Sequence, residues 1–272
     1  MTTTLAAPTA TAYTDPSPCP RVSVVIAVVA GVASVTVYRS SSAGKDAIRD
    51  AVRKPVTAVG SMVFNDFEAP FGTPLTYTVV AYDAAGVPSV ESAASAAVTL
   101  NVTTGCPWAI DPTNPSLSMQ WKQLAWDSRE YKRDQAQLIP LASDQAIVVT
   151  GRRSLPFSTT EVVTQTAEDA ATLRSLADTP VIQLRTPTTW VWRGGYFTIG
   201  GCTESPHYFD PTDPTMVWQL ELIPATRPDP ALFFPVYTWA DVIAMYPTWA
   251  GVAAAKNSWL SVEANPDPGS GT

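Results

Sequence analysis

The feature that most limits the fold of this chain is the alternation of apolar with other residues in short runs. In the first such run the apolar positions are Val22, Val24, Ile26 and Val28. A second run, Leu75–Tyr82, ends at the turn-forming residues 83–86. A period of two is typical of β-strands with one buried face. About six or seven short strands between residues 21 and 104, with no convincing helix, predict a β-sandwich.

The sequence from Asp66 to Gly86 resembles the later part of a fibronectin type III domain. It combines an acidic and aromatic prelude, residues 66–70, with a strand that contains Tyr77 and ends in a turn. The resemblance implies a fibronectin-like β-sandwich over residues 21–104. It also implies a structural role for Tyr77, whose ring would be buried and whose hydroxyl would hold a backbone corner.

Prolines mark the two segments that flank this module. Residues 1–20 contain four prolines and predict an extended N-terminal arm that is not a packed element. Residues 105–126 are rich in proline and tryptophan and predict a linker. Within it, Trp108 could anchor the chain by packing on both neighbouring modules.

The strongest helix signal lies in the second half of the chain. Thr166 is a suitable N-cap for a helix over residues 167–178, and Asp169 could reach back to close the cap. The apolar stripe of this helix consists of Ala170, Leu173, Leu176 and Ala177. Strand-like runs on both sides predict a mostly β module over residues 127–236 with this one helix.

The order of these elements resembles the tail-tip subunits of long-tailed bacteriophages, a group that includes minor tail and distal tail proteins and is related to the tail-tube fold. The strings that carry the resemblance are Gly151–Arg153, Leu173–Leu176, Val181–Pro187, Tyr196–Gly200 and Trp218–Ile223, followed by Arg227 and Pro228. In that family such pieces form a β-sandwich with one flanking helix, and rings of subunits surround the tail axis. The resemblance implies the same fold and the same kind of assembly for this chain.

A repeat with a period of ten residues follows the second module. Its copies are Thr238–Val242, Thr248–Val252 and Ser258–Val262, and their tryptophans are Trp239, Trp249 and Trp259. Each copy starts with a helix-capping residue, so residues 237–264 are predicted to form short helical turns that present tryptophan to one surface. Residues 265–272 are predicted to be a flexible tail.

The tryptophans allow two interpretations. The first makes Trp108, Trp190, Trp192 and the three repeat tryptophans anchors in the core and between subunits. The second makes Trp190 and Trp192, which would share one face of a strand, a platform on which sugar rings stack.

Composition narrows the range of partners. Charged residues make up only 15% of the chain, against about 25% in typical domains. A surface so poor in charge suits a subunit that buries much of itself against neighbours. The net charge is −7, and the charges are spread along the chain without a basic patch, which argues against nucleic acid as a partner. The apolar run 22–37 is too short and too interrupted for a membrane span.

Residues that could support catalysis or bind a metal are few. The chain has one histidine, His207, in a loop, and the three cysteines Cys19, Cys106 and Cys202 have no paired metal-binding spacing. A Cys19–Cys106 disulfide could bracket the first module, but reduced thiols are the simpler interpretation. Possible glycosidase pairs are Asp210 with Asp213 and Glu161 with Glu168, and Asp111, Asp127 and Asp210 could in principle bind calcium. Turns and helix ends explain these carboxylates better, so we expect no enzyme activity, no cofactor and no metal.

The sequence therefore predicts a structural subunit of a bacteriophage tail tip or baseplate. It would form a ring of three or six copies, joining the tail tube to host-recognition components and contacting other tail proteins. Because no secretory leader is visible, we expect synthesis and assembly in the host bacterial cytoplasm and a final location in the virion. The alternative is a module of the tail that binds a host cell-surface glycan.

Overall fold

A computed structural model describes residues 3–16, 18–102, 105–130, 133–138, 147–153, 157–187, 194–208 and 212–230, together with Thr248 and Gly251. The described chain is mostly β, with antiparallel sheets and one α-helical element, α1. This confirms the predicted fold class at the level of a mostly β protein with a single helix.

The first module contains eight strands. They are β1 (Thr9–Tyr13), β2 (Arg21–Val28), β3 (Ser34–Ser41), β4 (Gly44–Ala47), β5 (Lys54–Pro55), β6 (Gly60–Asp66), β7 (Pro74–Tyr82) and β8 (Val98–Thr99). One sheet has the order β1-β2-β6, and the other has the order β4-β3-β7-β8 with β5 paired to β3. The alternating apolar residues of β2, β3 and β7 form a common core between the sheets. The module is therefore a β-sandwich.

The N-terminal arm was predicted not to be a packed element, and this was wrong. Strand β1 lies within it and pairs antiparallel with β2, from Thr9 opposite Val25 to Tyr13 opposite Arg21. Ala10 and Ala12 pack against the core of the sandwich. The prolines of the arm lie outside this strand, so they leave its hydrogen bonds intact.

The last edge of the sandwich is largely irregular, because β8 covers only Val98–Thr99. The segment before β8 contains a serine at every third position, and these serines form hydrogen bonds with β7. Their partners in β7 lie at every second position. The N–H groups of Ser89, Ser92 and Ser95 donate to the carbonyls of Ala81, Val79 and Tyr77. Their hydroxyl oxygens accept the N–H groups of the same three β7 residues at 3.0 Å. Serine side chains thus replace the backbone carbonyls that a regular strand would supply.

Replacing Ser92 with alanine is expected to lower the free energy of unfolding by about 1–3 kcal/mol, because the buried N–H of Val79 loses its acceptor. Urea denaturation followed by tryptophan fluorescence measures this loss. Ser42, which is exposed in a turn, provides the matched control, and Ser42→Ala should change the stability by no more than about 0.5 kcal/mol. Equal effects of the two substitutions would contradict the structural role of the serine.

The described part of the second module contains nine strands and the helix. They are β9 (Trp108–Asp111), β10 (Asn114–Gln120), β11 (Gln123–Glu130), β12 (Arg133–Leu138), β13 (Ile147–Arg153), β14 (Phe157–Thr164), α1 (Ala167–Ala177), β15 (Ile182–Arg185), β16 (Gly195–Pro206) and β17 (Met216–Pro224). Seven strands form one sheet in the order β10-β9-β15-β16-β17-β14-β11, and β12 and β13 form a separate two-stranded sheet.

The seven-stranded sheet is strongly curved. Its two outermost strands, β10 and β11, follow each other in the chain with only Trp121 and Lys122 between them. The N–H of Trp121 donates to the carbonyl of Pro107 beside β9, and the N–H of Val163 in β14 donates to the carbonyl of Lys122. The two edges therefore meet at this corner. Apart from the separate β12–β13 pair, the described strands of the module form this one curved sheet.

Helix α1 matches its prediction closely. The hydroxyl of Thr166 accepts the N–H of Asp169 at 3.0 Å, and the helix ends one residue before the predicted boundary. Ala170, Leu173 and Leu176 are buried against the core inside the curved sheet, and the helix contacts β10 and β14. The helix thus covers this core.

The predicted linker over residues 105–126 was also wrong, because it supplies β9, β10 and the start of β11 to the second sheet. Its prolines had argued against strands. Pro107 precedes β9, Pro112 lies in the turn after β9, and Pro115 lies in the outermost strand β10 where the register shifts. Proline is tolerated at such strand starts, turns and edges because no inner hydrogen bond is lost.

Candidate inter-module interface

Strands β9 and β15 belong to the second sheet, but one of their faces points to the first module. Trp108 and Ile110 are part of the first module's core, whereas Ala109 between them is part of the second core. The register places Arg185 opposite Trp108 and Gln183 opposite Ile110, and Tyr196 of β16 opposite Gln183. Since directly opposite residues share a face, these five residues form one surface, which we call the docking face. The two modules therefore share β9 as a structural element.

Glu68 of the first module is the main acceptor for this surface. Its side chain is 1% exposed. One carboxylate oxygen accepts Arg49 Nη2 and the hydroxyl of Tyr196, each at 3.0 Å, and the other accepts Arg227 Nη2. The backbone carbonyl of Glu68 accepts Gln183 Nε2 at 3.3 Å. Glu68 thus connects the first module to three separate parts of the second, two through its carboxylate and one through its backbone carbonyl.

The segment that follows β17 extends this interface. Arg49 donates to the carbonyls of Asp229 at 2.6 Å and Pro228 at 3.1 Å. In the opposite direction, Arg227 donates to the carbonyl of Ala47 at 3.0 Å. Residues 227–230 therefore bind along the loop between β4 and β5.

A second buried carboxylate, Asp66, orders the loop that contains Glu68. Arg39 Nη1 donates to both of its oxygens, at 2.9 and 3.0 Å, and the hydroxyl of Tyr77 donates to one of them at 3.0 Å. The N–H of Glu68 donates to the other oxygen at 3.1 Å. Asp66 is therefore hydrogen-bonded both to the sandwich and to the residue that binds the second module.

Tyr77 is fully buried, but its hydroxyl contacts a carboxylate and not the backbone corner that the resemblance implied. Tyr77 holds the backbone only indirectly, because Asp66, which accepts its hydroxyl, also accepts the N–H of Glu68. Burial, together with the charge of Asp66, raises the pKa of Tyr77, so the phenol stays protonated and keeps donating.

Glu68 is ionised despite its burial. Burial by itself raises its pKa, but the hydrogen bond and charge of Arg227 and those of Arg49 outweigh this effect and hold the pKa below its usual range. Burial and the charge of Glu68 in turn raise the pKa of Tyr196. The geometry therefore suits a charged acceptor surrounded by protonated donors near neutral pH.

This lowered pKa gives a pH prediction. Glu68 contributes stability that is complete above its unfolded-state pKa of about 4.3 and is lost as the pH falls through the lower folded-state value. We expect the free energy of unfolding of the wild type to fall more steeply between about pH 5 and pH 2 than that of Glu68→Gln. Urea midpoints measured across this range test it, and parallel curves would contradict it.

Sequence reasoning named Trp108 as a possible anchor between the modules but did not identify the hydrogen-bond network around Glu68. Asp66, Glu68 and Arg227 were noticed only as parts of family resemblances, and Arg39, Arg49 and Arg185 were not singled out. A usable signal was present, because Arg39 and Arg185 each directly follow a largely apolar run, residues 35–38 and 181–184. Arginine is rarely buried unless it is paired.

The remaining predicted tryptophan anchors, Trp190, Trp192, Trp239, Trp249 and Trp259, lie outside the described residues. In the second copy of the repeat, the hydroxyl of Thr248 accepts the N–H of Gly251 at 3.2 Å, in the pattern expected of a helix cap.

Where the structure describes them, the residues considered for chemistry have other roles or partners. Cys19, Cys106 and Cys202 are free thiols, so the possible Cys19–Cys106 disulfide is not formed. His207 is exposed beside Tyr208, and Asp213 accepts the N–H of Thr215 as in a turn. Glu161 accepts Gln219 Nε2, and Glu168 lies in the first turn of α1. Asp111 accepts the N–H of Thr113, whereas Asp210 and the side chain of Asp127 lie outside what the structure describes.

Within the described ranges, no group of three or more histidine, cysteine, aspartate or glutamate side chains could hold a metal ion. No helix in the described part of the chain has the length and apolar character needed to cross a membrane.

A scan against protein-family models found no match to this chain, and a search of curated proteins found none either.

Proposed function

We propose that this chain is a non-enzymatic structural subunit of a bacteriophage tail tip or baseplate. The observation that carries the proposal is the way the modules are joined, through the shared strand β9 and the buried carboxylate Glu68. Interfaces between domains are usually polar and wet enough to permit hinge motion. A junction built like a domain interior instead keeps the two modules in one orientation, as a part that transmits force requires.

Two properties of the sequence support the same proposal. The strings resembling phage tail-tip subunits extend through the second module, and Arg227 behind the last string contributes to the junction. The small share of charged residues, 15%, suits a protein that buries surface against neighbours. The partners would be other copies of the chain, in a closed ring of three or six, and neighbouring tail proteins. The chain would be assembled in the host bacterial cytoplasm and would lie at the tail tip of the virion.

Two measurements test the proposal: the native mass of the purified protein and its location in the virion. Light scattering or native mass spectrometry of the purified full chain is expected to show one closed oligomer of three or six copies. Antibody labelling in electron micrographs of virions is expected to mark the tail tip. A protein that stays monomeric alone and with tail proteins, and is absent from virions, would overturn the proposal.

The double variant Trp190→Ala, Trp192→Ala distinguishes the glycan-binding alternative from a purely structural role. In a pull-down with host cell walls, a structural subunit should show no binding that depends on these two tryptophans. Binding that the double variant abolishes while the oligomer remains intact would favour the alternative.

A further inference from the structure

Arg185 lies fully inside the junction without a carboxylate partner. Its residue is 3% exposed, and its Nη1 donates to the carbonyls of Pro20 at 2.8 Å and Ala69 at 3.3 Å. Its Nε and Nη2 have no hydrogen-bond partner among the residues that the structure describes. Arginine does not lose its proton in proteins, and a buried charge without a counter-ion is strongly destabilising.

Trp108, the neighbour of Arg185 on the docking face, carries a further donor without a partner among the described residues. Trp108 lies directly opposite Arg185 in the β9–β15 register, and its Nε1 is likewise buried with no acceptor in the described part of the chain. Opposite residues on one face place their Cβ atoms about 5 Å apart. The phenyl ring of Phe71 lies 4.6 Å from the guanidinium carbon of Arg185. Three donor nitrogen atoms on two adjacent side chains therefore need an acceptor.

Among the described residues, Arg185 has the Cys19 thiol as a weak hydrogen-bond partner, but no charged acceptor is left for it. Both oxygens of Asp66 and both oxygens of Glu68 accept other donors: Arg39, Tyr77 and the backbone N–H of Glu68 at the first, and Arg49, Arg227 and Tyr196 at the second. Burial raises the pKa of the nearby Cys19 thiol more than Arg185 lowers it, so this thiol is neutral near pH 7.

The charge balance of the junction points in the same direction. The guanidinium groups of Arg39, Arg49, Arg185 and Arg227 surround the carboxylates of Asp66 and Glu68. Asp46, which is 59% exposed, lies 3.7 Å from Arg39 and 3.9 Å from Arg227 at the rim. Among the described residues, Arg39, Arg49 and Arg227 each form an ion pair with one of these carboxylates, whereas Arg185 forms none.

We propose that the junction binds a monovalent anion of halide size, held by Nε and Nη2 of Arg185 and by Nε1 of Trp108. The anion accepts these three donors and balances the charge of Arg185, which a water molecule would not do. Because the site is enclosed by both modules, the ion binds only to the folded protein and stabilises it by mass action. This site is independent of the proposed role in a phage tail.

The experiment measures thermal unfolding of the full chain at constant ionic strength while sodium gluconate is replaced by sodium chloride or sodium bromide. The midpoint is expected to rise by about 3 °C for each tenfold increase in free halide above its Kd. Arg185→Met should abolish this dependence. The matched control Arg174→Met, which removes an exposed arginine paired with Glu204, should retain it.

Trp108→Phe keeps the aromatic ring and removes one donor, so it should bind halide several-fold more weakly. It also tests the site if Arg185→Met fails to fold. Crystals grown in bromide should show an anomalous peak within hydrogen-bond distance of Arg185 and Trp108. Identical midpoints in all three salts, or density there without an anomalous signal, would show that water or nothing occupies the position and would overturn the proposal.

Discussion

Glu68→Gln is expected to lower the free energy of unfolding by about 3–5 kcal/mol, the range seen when one partner of a buried ion pair is removed. Glutamine keeps the size of the side chain but removes the charge that two guanidinium groups share. It also presents an amide NH₂ where an acceptor is needed. Arg49 and Arg227 would then lose the buried carboxylate to which both donate.

The loss can be measured by urea denaturation, with tryptophan fluorescence to follow the junction through Trp108. The matched control is Glu91→Gln, which removes the same charge from an ion pair with Lys45 whose side chains are 41% and 38% exposed. Exposed pairs contribute little, so this variant should lose less than about 1 kcal/mol. If both variants lost the same amount, Glu68 would not hold the modules together.

Gly194→Ala is expected to cost about 3 kcal/mol or more, at the upper end of what overpacking causes. A Cβ atom at this position would lie 1.9 Å from the carbonyl oxygen of Leu184 and 2.9 Å from its carbonyl carbon. These are backbone atoms of β15, so no side chain can move aside. Gly194 is also held in place, because its N–H donates to the hydroxyl of Thr186 at 2.8 Å.

The adjacent glycine provides the control. A Cβ at Gly195 would lie 3.7 Å from the ring of Phe197, an ordinary contact, so Gly195→Ala should change the stability by no more than about 1 kcal/mol. Thermal and urea unfolding followed by circular dichroism compare the two. Equal stability of both variants would mean that β15 and β16 do not approach as closely as described.

These two predictions concern the same part of the molecule. Gly194 fixes how β16 approaches the end of β15, and the docking-face residues Gln183, Arg185 and Tyr196 lie on those two strands. Displacing β16 by even a fraction of an ångström would therefore move the hydroxyl of Tyr196 relative to Glu68. We expect Gly194→Ala to weaken the junction as well as the sheet.

Local patterns in the sequence were enough to predict several elements correctly. The alternation of Val22, Val24, Ile26 and Val28 predicted β2, and the cap at Thr166 with its apolar stripe predicted α1 to within one residue. Both signals depend on residues only a few positions apart, and the same neighbours decide the local backbone conformation.

The junction could not be predicted in this way. Glu68 is bound by Arg49, Gln183, Tyr196 and Arg227, which are brought together only when two sheets have formed in the correct register. The strands in the arm and in the segment 105–126 were missed for a related reason. Whether a proline breaks a strand depends on whether its missing N–H would have faced a neighbouring strand, and only the order of strands in the sheet determines that.

The sequence by itself therefore determined which stretches are extended, where the helix lies and how little charge the surface carries. The tertiary structure alone decided that the two modules share a strand and that a single carboxylate binds three donors between them. The physical reason is that periodicity and capping act over one turn or one pleat. Hydrogen bonding of a buried charge instead depends on groups that are more than a hundred residues away in the chain, as Tyr196 and Arg227 are from Glu68.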